Sequence, residues 1–310
     1  MISRSPDKNE AKGFQWLVTL VAAGHLGLVA AMGRLRWEHA AADLLIAGLA
    51  WAGSAPRRFL RGIFPLYLTG MMLDSQWLWL GLRGHIHTGE LWELERKLFP
   101  APGGTTWPAF FETRTHAVLD FFCGFSYAAY LYEVFALALL FFFRKHPRFH
   151  HLAWAFLLVN AMGVVTYMLY PAAPPWYVMK YGPGPANLAA LPSPAGTARF
   201  DALLGIHYFA KFYARNPNVF GAMPSLHAAY PTLAVWQVWR LGKAWRVGSI
   251  AFAALVAFSA VYLQHHYILD VVAGVVAALA ASVVVECAYS RRESSASVPV
   301  PLMPGGDSRA

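Results

Sequence analysis

The chain has 310 residues, of which 57% are hydrophobic and only 13% charged, where soluble domains carry roughly a quarter charged residues. That deficit excludes an ordinary soluble globular protein. The formal charge of +9 does not mark a nucleic-acid binder either, because the basic residues are dealt out between apolar blocks instead of gathering in one segment.

Eight apolar blocks approach the ~20 residues that a bilayer-spanning helix needs: 14–33, 39–53, 63–82, 116–143, 151–171, 223–239, 246–264 and 267–288. They predict an all-α fold, a polytopic membrane helix bundle of about eight transmembrane segments. The first block follows a basic start, as a signal peptide would, but its length and the basic Arg34 and Arg36 just beyond it favour a retained anchor. The second is short enough to be tilted, re-entrant or extended at its ends. Lys and Arg cluster in alternate connections: segments 1–13, 54–62, 144–150, 240–246 and 291–310 hold three each, fifteen of the 25. Under the positive-inside rule these segments and both termini face the cytoplasm.

The first three blocks, residues 14–82, form an N-terminal group after a cytoplasmic tail of residues 1–13. A polar outer loop, 83–115, follows. Within it 89-GELWELERKLFP-100 places Glu93 and Lys97 four apart and Leu91, Leu94 and Leu98 on one face, the pattern of an amphipathic helix on the membrane surface. Residues 116–288 then form the remaining membrane domain, interrupted by a second outer loop from Pro171 to Ala222. That loop opens with 170-YPAAPPWY-177, whose prolines stop the preceding helix and whose Trp176 and Tyr177 suit the interfacial belt. The tail 289–310, rich in Ser, Pro and Gly, reads as disordered and cytoplasmic. Cys123 and Cys287 lie in apolar blocks and read as small packing residues, not a disulfide.

Two histidine motifs stand 39 residues apart: 220-FGAMPSLHAAYP-231 and 262-YLQHHYILDVVAG-274. Counting spans, the first sits where the outer loop enters the sixth block, the second at the outer turn between the seventh and eighth. Both therefore reach the same, non-cytoplasmic membrane face. His266 and Asp270, four apart, read as the first turn of a helix, with the carboxylate fixing the imidazole tautomer and leaving the other nitrogen free to attack. In 224-PSLH-227, Pro224 and Ser225 are good helix-start residues, and the leading N–H groups of that turn favour an anion close to His227, a general acid. No metal-ligand spacing such as HExxH appears, so neither a metal nor another cofactor is expected at this site.

These two motifs resemble the second and third signatures of the type 2 phosphatidic acid phosphatase superfamily. Within it, PSLH, HHY with its aspartate, and the 172-AAPPWY-177 segment are most similar to the inositol phosphorylceramide synthase branch. The resemblance covers about residues 115–288. It implies that His266 is the nucleophile forming a phosphohistidine, Asp270 its partner and His227 the acid for the leaving group. It also implies a phospholipid donor, phosphatidylinositol or similar, and a lipid-alcohol acceptor such as ceramide or diacylglycerol. Three departures stand out: the phosphatases' first motif, Lys to Arg-Pro, is absent; Ser259-Ala260 replaces their Ser-Arg; and Leu226 stands where they have glycine. Those departures favour the transferase branch and raise the question of what neutralises the phosphate.

Lys211 and Arg215 are the candidates. With His207 they fall on one face of a short helix in 207-HYFAKFYARN-216, where a cationic stripe grips phosphoryl oxygens as readily as it snorkels at an interface. Asp120, level with the motifs near His116, is read as a hydrogen-bonding partner for a polyol headgroup. Asp74 is read either so or as a bond to a neighbouring helix. His265 and Tyr262 complete the candidate substrate-binding set with Ser225. Glu133, Glu286 and His25 are read as structural. Two other readings remain open: a lipid or polyprenyl phosphatase with water as acceptor, and a non-catalytic transporter or scaffold. The setting expected is a bacterial inner membrane with a periplasmic site, or a Golgi membrane with a luminal one.

Overall fold

The computed structural model describes residues 8–296, and these contain α-helices, short 3-10 turns and isolated bridges but no strand. The first three blocks become α1 (Lys8–Ala31), α2 (Trp37–Trp51) and α3 (Ser54–Asp74). The first outer loop holds α4 (Glu90–Leu98) and α5 (Trp107–Phe110), followed by α6 (Ala117–Phe143) and α7 (Arg148–Leu169). The second outer loop folds into α8 (Pro175–Tyr181), α9 (Ala198–Leu204) and α10 (Tyr208–Ala214). Three helices, α11 (Leu226–Val238), α12 (Lys243–Tyr262) and α13 (Ile268–Ala296), complete the described residues.

Each apolar block forms mostly helix, and among the described residues five helices, α1, α6, α7, α12 and α13, are long and apolar enough to cross a membrane. The protein is a multi-pass membrane protein. The other three blocks fall short for separate reasons. At 1.5 Å per residue, α2 and α11 rise only about 20 Å against a hydrocarbon core of about 30 Å. The third lies in α3, which starts nine residues earlier with Arg57, Arg58 and Arg61 in its first turns and stops at Asp74, where 3-10 turns over 75–82 replace the predicted last turns. At the other end α13 continues through Ala296, past the boundary at 288; residues 297–310 of the predicted tail, like 1–7 of the N-terminal one, lie outside the described residues.

The short α11 is enclosed by α6, α7, α12 and α13. Its Ala229, Leu233, Ala234 and Val238 meet Val134, Phe156, Val159 and Ala278 in the largest core cluster. Enclosure explains its length, since a helix surrounded by protein need not reach both headgroup layers. One approach is very close: a Cβ on Gly274 of α13 would collide with the carbonyl oxygen of Ser225, so only glycine lets α13 lie against the turn that starts α11.

The N-terminal three helices pack around Val18, Ile46, Ala50, Leu60 and Phe64, and α3 docks them on α7. Their histidines and aspartates pair across helices, which lowers the cost of polar groups in a membrane. His25 Nδ1 lies 2.7 Å from Asp43, whose other oxygen accepts the Tyr67 hydroxyl at 2.5 Å. Asp74 accepts from Arg36 at 2.6 Å and lies 2.7 Å from His39. Asp74 is thus a helix-to-helix bond, and His25 is the interhelical hydrogen bonder the sequence suggests. Glu286 likewise binds Arg148 and accepts from Trp236. Cys123 and Cys287 are both free thiols.

Candidate active site

His227 and His266 converge. Ser225 is the N-cap of α11, its Oγ accepting the Ala228 N–H at 3.3 Å, and this starts the helix so that His227 falls in its first turn. His266 lies in the turn after α12, with the N–H groups of His265 and His266 both donating to the Ala260 carbonyl, at 3.1 and 3.0 Å. The result is a separation of 3.1 Å between His227 Nδ1 and His266 Nε2.

The orientation of His266 differs from the sequence expectation. Its Nδ1–H donates to the backbone carbonyl of Ala222 at 2.9 Å, while Asp270 Oδ2 stands 3.6 Å away, beyond hydrogen-bond range. The reason is the position of the helix start. Because α13 begins at Ile268, His266 precedes it, and spacing of four does not put the two side chains on one helical face. Asp270 Oδ2 instead takes the N–H of Tyr267 at 2.9 Å, a local cap inside a fully buried position. The Ala222 carbonyl, and not the carboxylate, fixes the tautomer. Nε2 is left as the nitrogen able to attack.

The two histidines open onto a cavity of about 720 Å³. His227 stacks on Tyr127 at 4.1 Å between centroids and lies 4.3 Å from Tyr130. His265 stacks on Tyr213 at 4.4 Å, is 3.1 Å from the Pro194 carbonyl, and joins the cavity wall. Its pKa is pushed down to about 3 by burial, then by the neighbouring His266. Lys211 of α10 and Arg215 at its C-cap also line the cavity, together with Asn216 and Asn218. His207 begins that helix but is exposed and does not reach the cavity.

Three predicted binding residues are placed elsewhere. Ser225 is fully buried and spent on the cap. Asp120 accepts from Arg199 Nε at 2.7 Å and from the Tyr262 hydroxyl at 2.9 Å, so its charge is neutralised within the protein. Tyr262 is fully buried, and its oxygen also accepts the His116 N–H at 3.2 Å. Neither Asp120 nor Tyr262 lines the cavity. Arg199 stands 79 residues from Asp120, so no local spacing in the sequence pairs them.

The outer loops brace this site. Trp176 and Tyr177 are buried, not interfacial: Tyr177 packs on Phe220, and the Trp176 N–H donates to the Gln264 carbonyl at 3.1 Å. In α4 the expected Glu93–Lys97 pair is replaced by Glu93–Arg96 at 2.8 Å. Of its leucines, Leu91 is buried while Leu94 and Leu98 are exposed. The residue that matters is Glu95, wholly buried, which accepts the N–H groups of Ile268 and Leu269 at 2.9 and 3.1 Å and so caps α13. Burial pushes its carboxyl above the usual range despite those two donors.

Residues 89–284 match the PAP2 superfamily. The chain is 34% identical over 275 residues to a phosphoinositol dihydroceramide synthase of Bacteroides thetaiotaomicron, covering 84% of this chain and 88% of the relative. It is 31% identical over 169 residues to an inositol phosphorylceramide synthase of Candida albicans, covering 54% of this chain and 36% of that one. The inositol phosphorylceramide synthase catalytic subunit of Schizosaccharomyces pombe is 33% identical over 167 residues, 53% of this chain and 40% of its own length. The match thus spans less than half of each fungal relative. No solved structure matches the chain significantly.

Proposed function

The chain belongs to the PAP2 superfamily, and from that premise we propose that it is a lipid phosphotransferase moving phosphoinositol from a glycerophospholipid to the hydroxyl of a ceramide-like lipid. The observation that carries the reading is the 3.1 Å approach of His227 Nδ1 to His266 Nε2 on the wall of a cavity that Lys211 and Arg215 also line.

The chemistry proceeds in two displacements. His266 Nε2 attacks the donor phosphorus, the bond from phosphorus to the diacylglycerol oxygen breaks, and that oxygen takes a proton from His227. The phosphoinositol group then rests on His266. His227 next removes the acceptor's hydroxyl proton as the acceptor oxygen attacks phosphorus, and the phosphorus–nitrogen bond breaks to restore His266. Splitting the transfer through a covalent intermediate makes two easier steps of one. A reacting pair needs ~3–3.5 Å on one side of phosphorus and an acid within ~2.6–3.2 Å of the leaving oxygen on the other, so the histidine–histidine hydrogen bond must open as substrate enters. Lys211 and Arg215 supply the charge that the missing family arginine and lysine would have carried.

The same residues serve a phosphatase if water is the acceptor. The names of the relatives favour the transferase, since one matched over 84% of this chain is a phosphoinositol dihydroceramide synthase. The reading also sets the site at the non-cytoplasmic face of a bacterial inner membrane. Purified protein given headgroup-labelled phosphatidylinositol, with and without ceramide, tests it. Labelled inositol phosphorylceramide is the expected product; release of labelled inositol phosphate with no new lipid would replace transfer to ceramide with hydrolysis, water being the acceptor.

A further inference from the structure

The turn that leads into α4 holds a cluster that the transfer reaction does not use. His85 Nε2 lies 3.5 Å from Glu90 Oε1, and His87 Nδ1 lies 3.0 Å from that same oxygen. One ligand atom from each of the three residues lies within 4.8 Å of the other two, and among the described residues no other group of three His, Cys, Asp or Glu does this. None of the three lines the cavity of His227 and His266.

We propose that His85, His87 and Glu90 form a binding site for one divalent transition metal, zinc by the chemistry of its ligands, separate from the phosphotransfer site. Zinc takes imidazole nitrogen and carboxylate oxygen at ~2.0–2.1 Å, which puts tetrahedral ligands roughly 3.3–3.4 Å apart. The observed 3.0 and 3.5 Å bracket that value. A hydrogen bond between His87 and Glu90 accounts for two of the three residues. It leaves unexplained why His85, with its side chain 78% exposed, turns to the same carboxylate oxygen. Its ring also sits edge-on to His87 at 5.1 Å.

The turn is also held ready. The His87 N–H donates to the Pro171 carbonyl at 2.8 Å, and its own carbonyl accepts from Ala173 at 2.9 Å. The His87 ring stacks on Tyr170 at 3.9 Å, and the neighbouring Thr88 hydroxyl donates to Gly184 at 2.7 Å. Glu90 is the first residue of α4. Two of the three ligands therefore come from anchored backbone, so little order is lost on binding; the fourth position faces solvent and takes water. The metal would staple the start of α4 to the strand-like segment at His87 and raise stability by mass action, without touching phosphorus.

The test uses the full-length protein in detergent, without a histidine tag, stripped by chelator and dialysed. Cobalt(II) followed by visible absorption is expected to saturate at one ion per chain with tetrahedral bands, and zinc to displace it. Each of His87→Ala and Glu90→Gln should weaken binding by more than the roughly 10–100-fold that loss of an outer-shell partner costs, while the exposed His207→Ala control keeps it. Zinc should raise the Tm of the unmutated protein and not that of Glu90→Gln, with kcat the same in stripped and loaded enzyme. If His87→Ala does not fold, Glu90→Gln, which leaves the anchored backbone intact, decides alone. Binding of the same affinity in Glu90→Gln, or no stoichiometric binding by the folded unmutated protein at micromolar metal, overturns the site. Either outcome leaves the phosphotransfer reading standing.

Discussion

His266 illustrates how little of a side chain's chemistry follows from its spacing to a neighbour. Its Nδ1 is committed to the Ala222 carbonyl, not to Asp270, so the nitrogen available for attack is set by backbone. Replacing His266 with alanine should abolish transfer, and His227→Ala should lower kcat by the ~10²–10⁴-fold typical of a lost general acid. Single-turnover experiments should separate the two: no labelled protein forms with His266→Ala, whereas slow labelling persists with His227→Ala. Asp120 makes the opposite prediction. Because Arg199 and Tyr262 already occupy its oxygen, Asp120→Asn should lower Tm while leaving KM for phosphatidylinositol unchanged. A raised KM at normal stability would return Asp120 to the binding set.

At the scale of elements, two outer helices serve the site in different ways. The short α10 presents Lys211 and, at its end, Arg215 to the cavity. If these grip phosphoryl oxygens, Lys211→Ala and Arg215→Ala should each raise KM for the donor on the order of 10–100-fold, the worth of a charge-assisted hydrogen bond. A change in kcat alone would place them outside donor binding. The α4 helix works through the bundle, since Glu95 caps the helix that follows His266. Glu95→Ala leaves two donors without their partner, at about 1–3 kcal/mol each if water cannot reach them. Gly274→Ala should be as damaging from the other side, pushing α13 away from the Ser225 turn. Thermal unfolding in detergent checks both.

For the whole molecule, acid sensitivity follows from placing a histidine inside the wall. His265 stays neutral in the fold down to about 3, against an ordinary value of 6.5. Below pH 6.5 the unfolded chain therefore binds a proton that the folded chain refuses. This contribution to stability is complete above that pH, declines as pH falls, and is lost once pH drops through about 3. Unfolding midpoints measured from pH 7 to pH 4 should fall, and His265→Gln should flatten the slope. An unchanged slope would mean that other groups set the acid limit. The polar pairs of α1 to α3, by contrast, hold the N-terminal group together.

The sequence by itself determined the helical membrane architecture, because apolar blocks near the length of a bilayer cannot be disguised, and it brought the two histidine motifs to one face by counting spans. It also marked Lys211 and Arg215, whose spacing sets them on one side of a helix. What it could not contain were partners distant in the chain: Ala222 for His266, Arg199 for Asp120, Glu95 for the start of α13. Spacing rules act within one helix, and they misled where a helix began two residues later than expected, as at Ile268. The run 85-HIHTGE-90 carries no single helical or alternating spacing to mark it, since its three side chains converge where the turn is fixed to Pro171, Ala173 and Gly184. Periodicity is a property of the chain, whereas convergence between segments exists only once packing has chosen which carbonyl faces which imidazole.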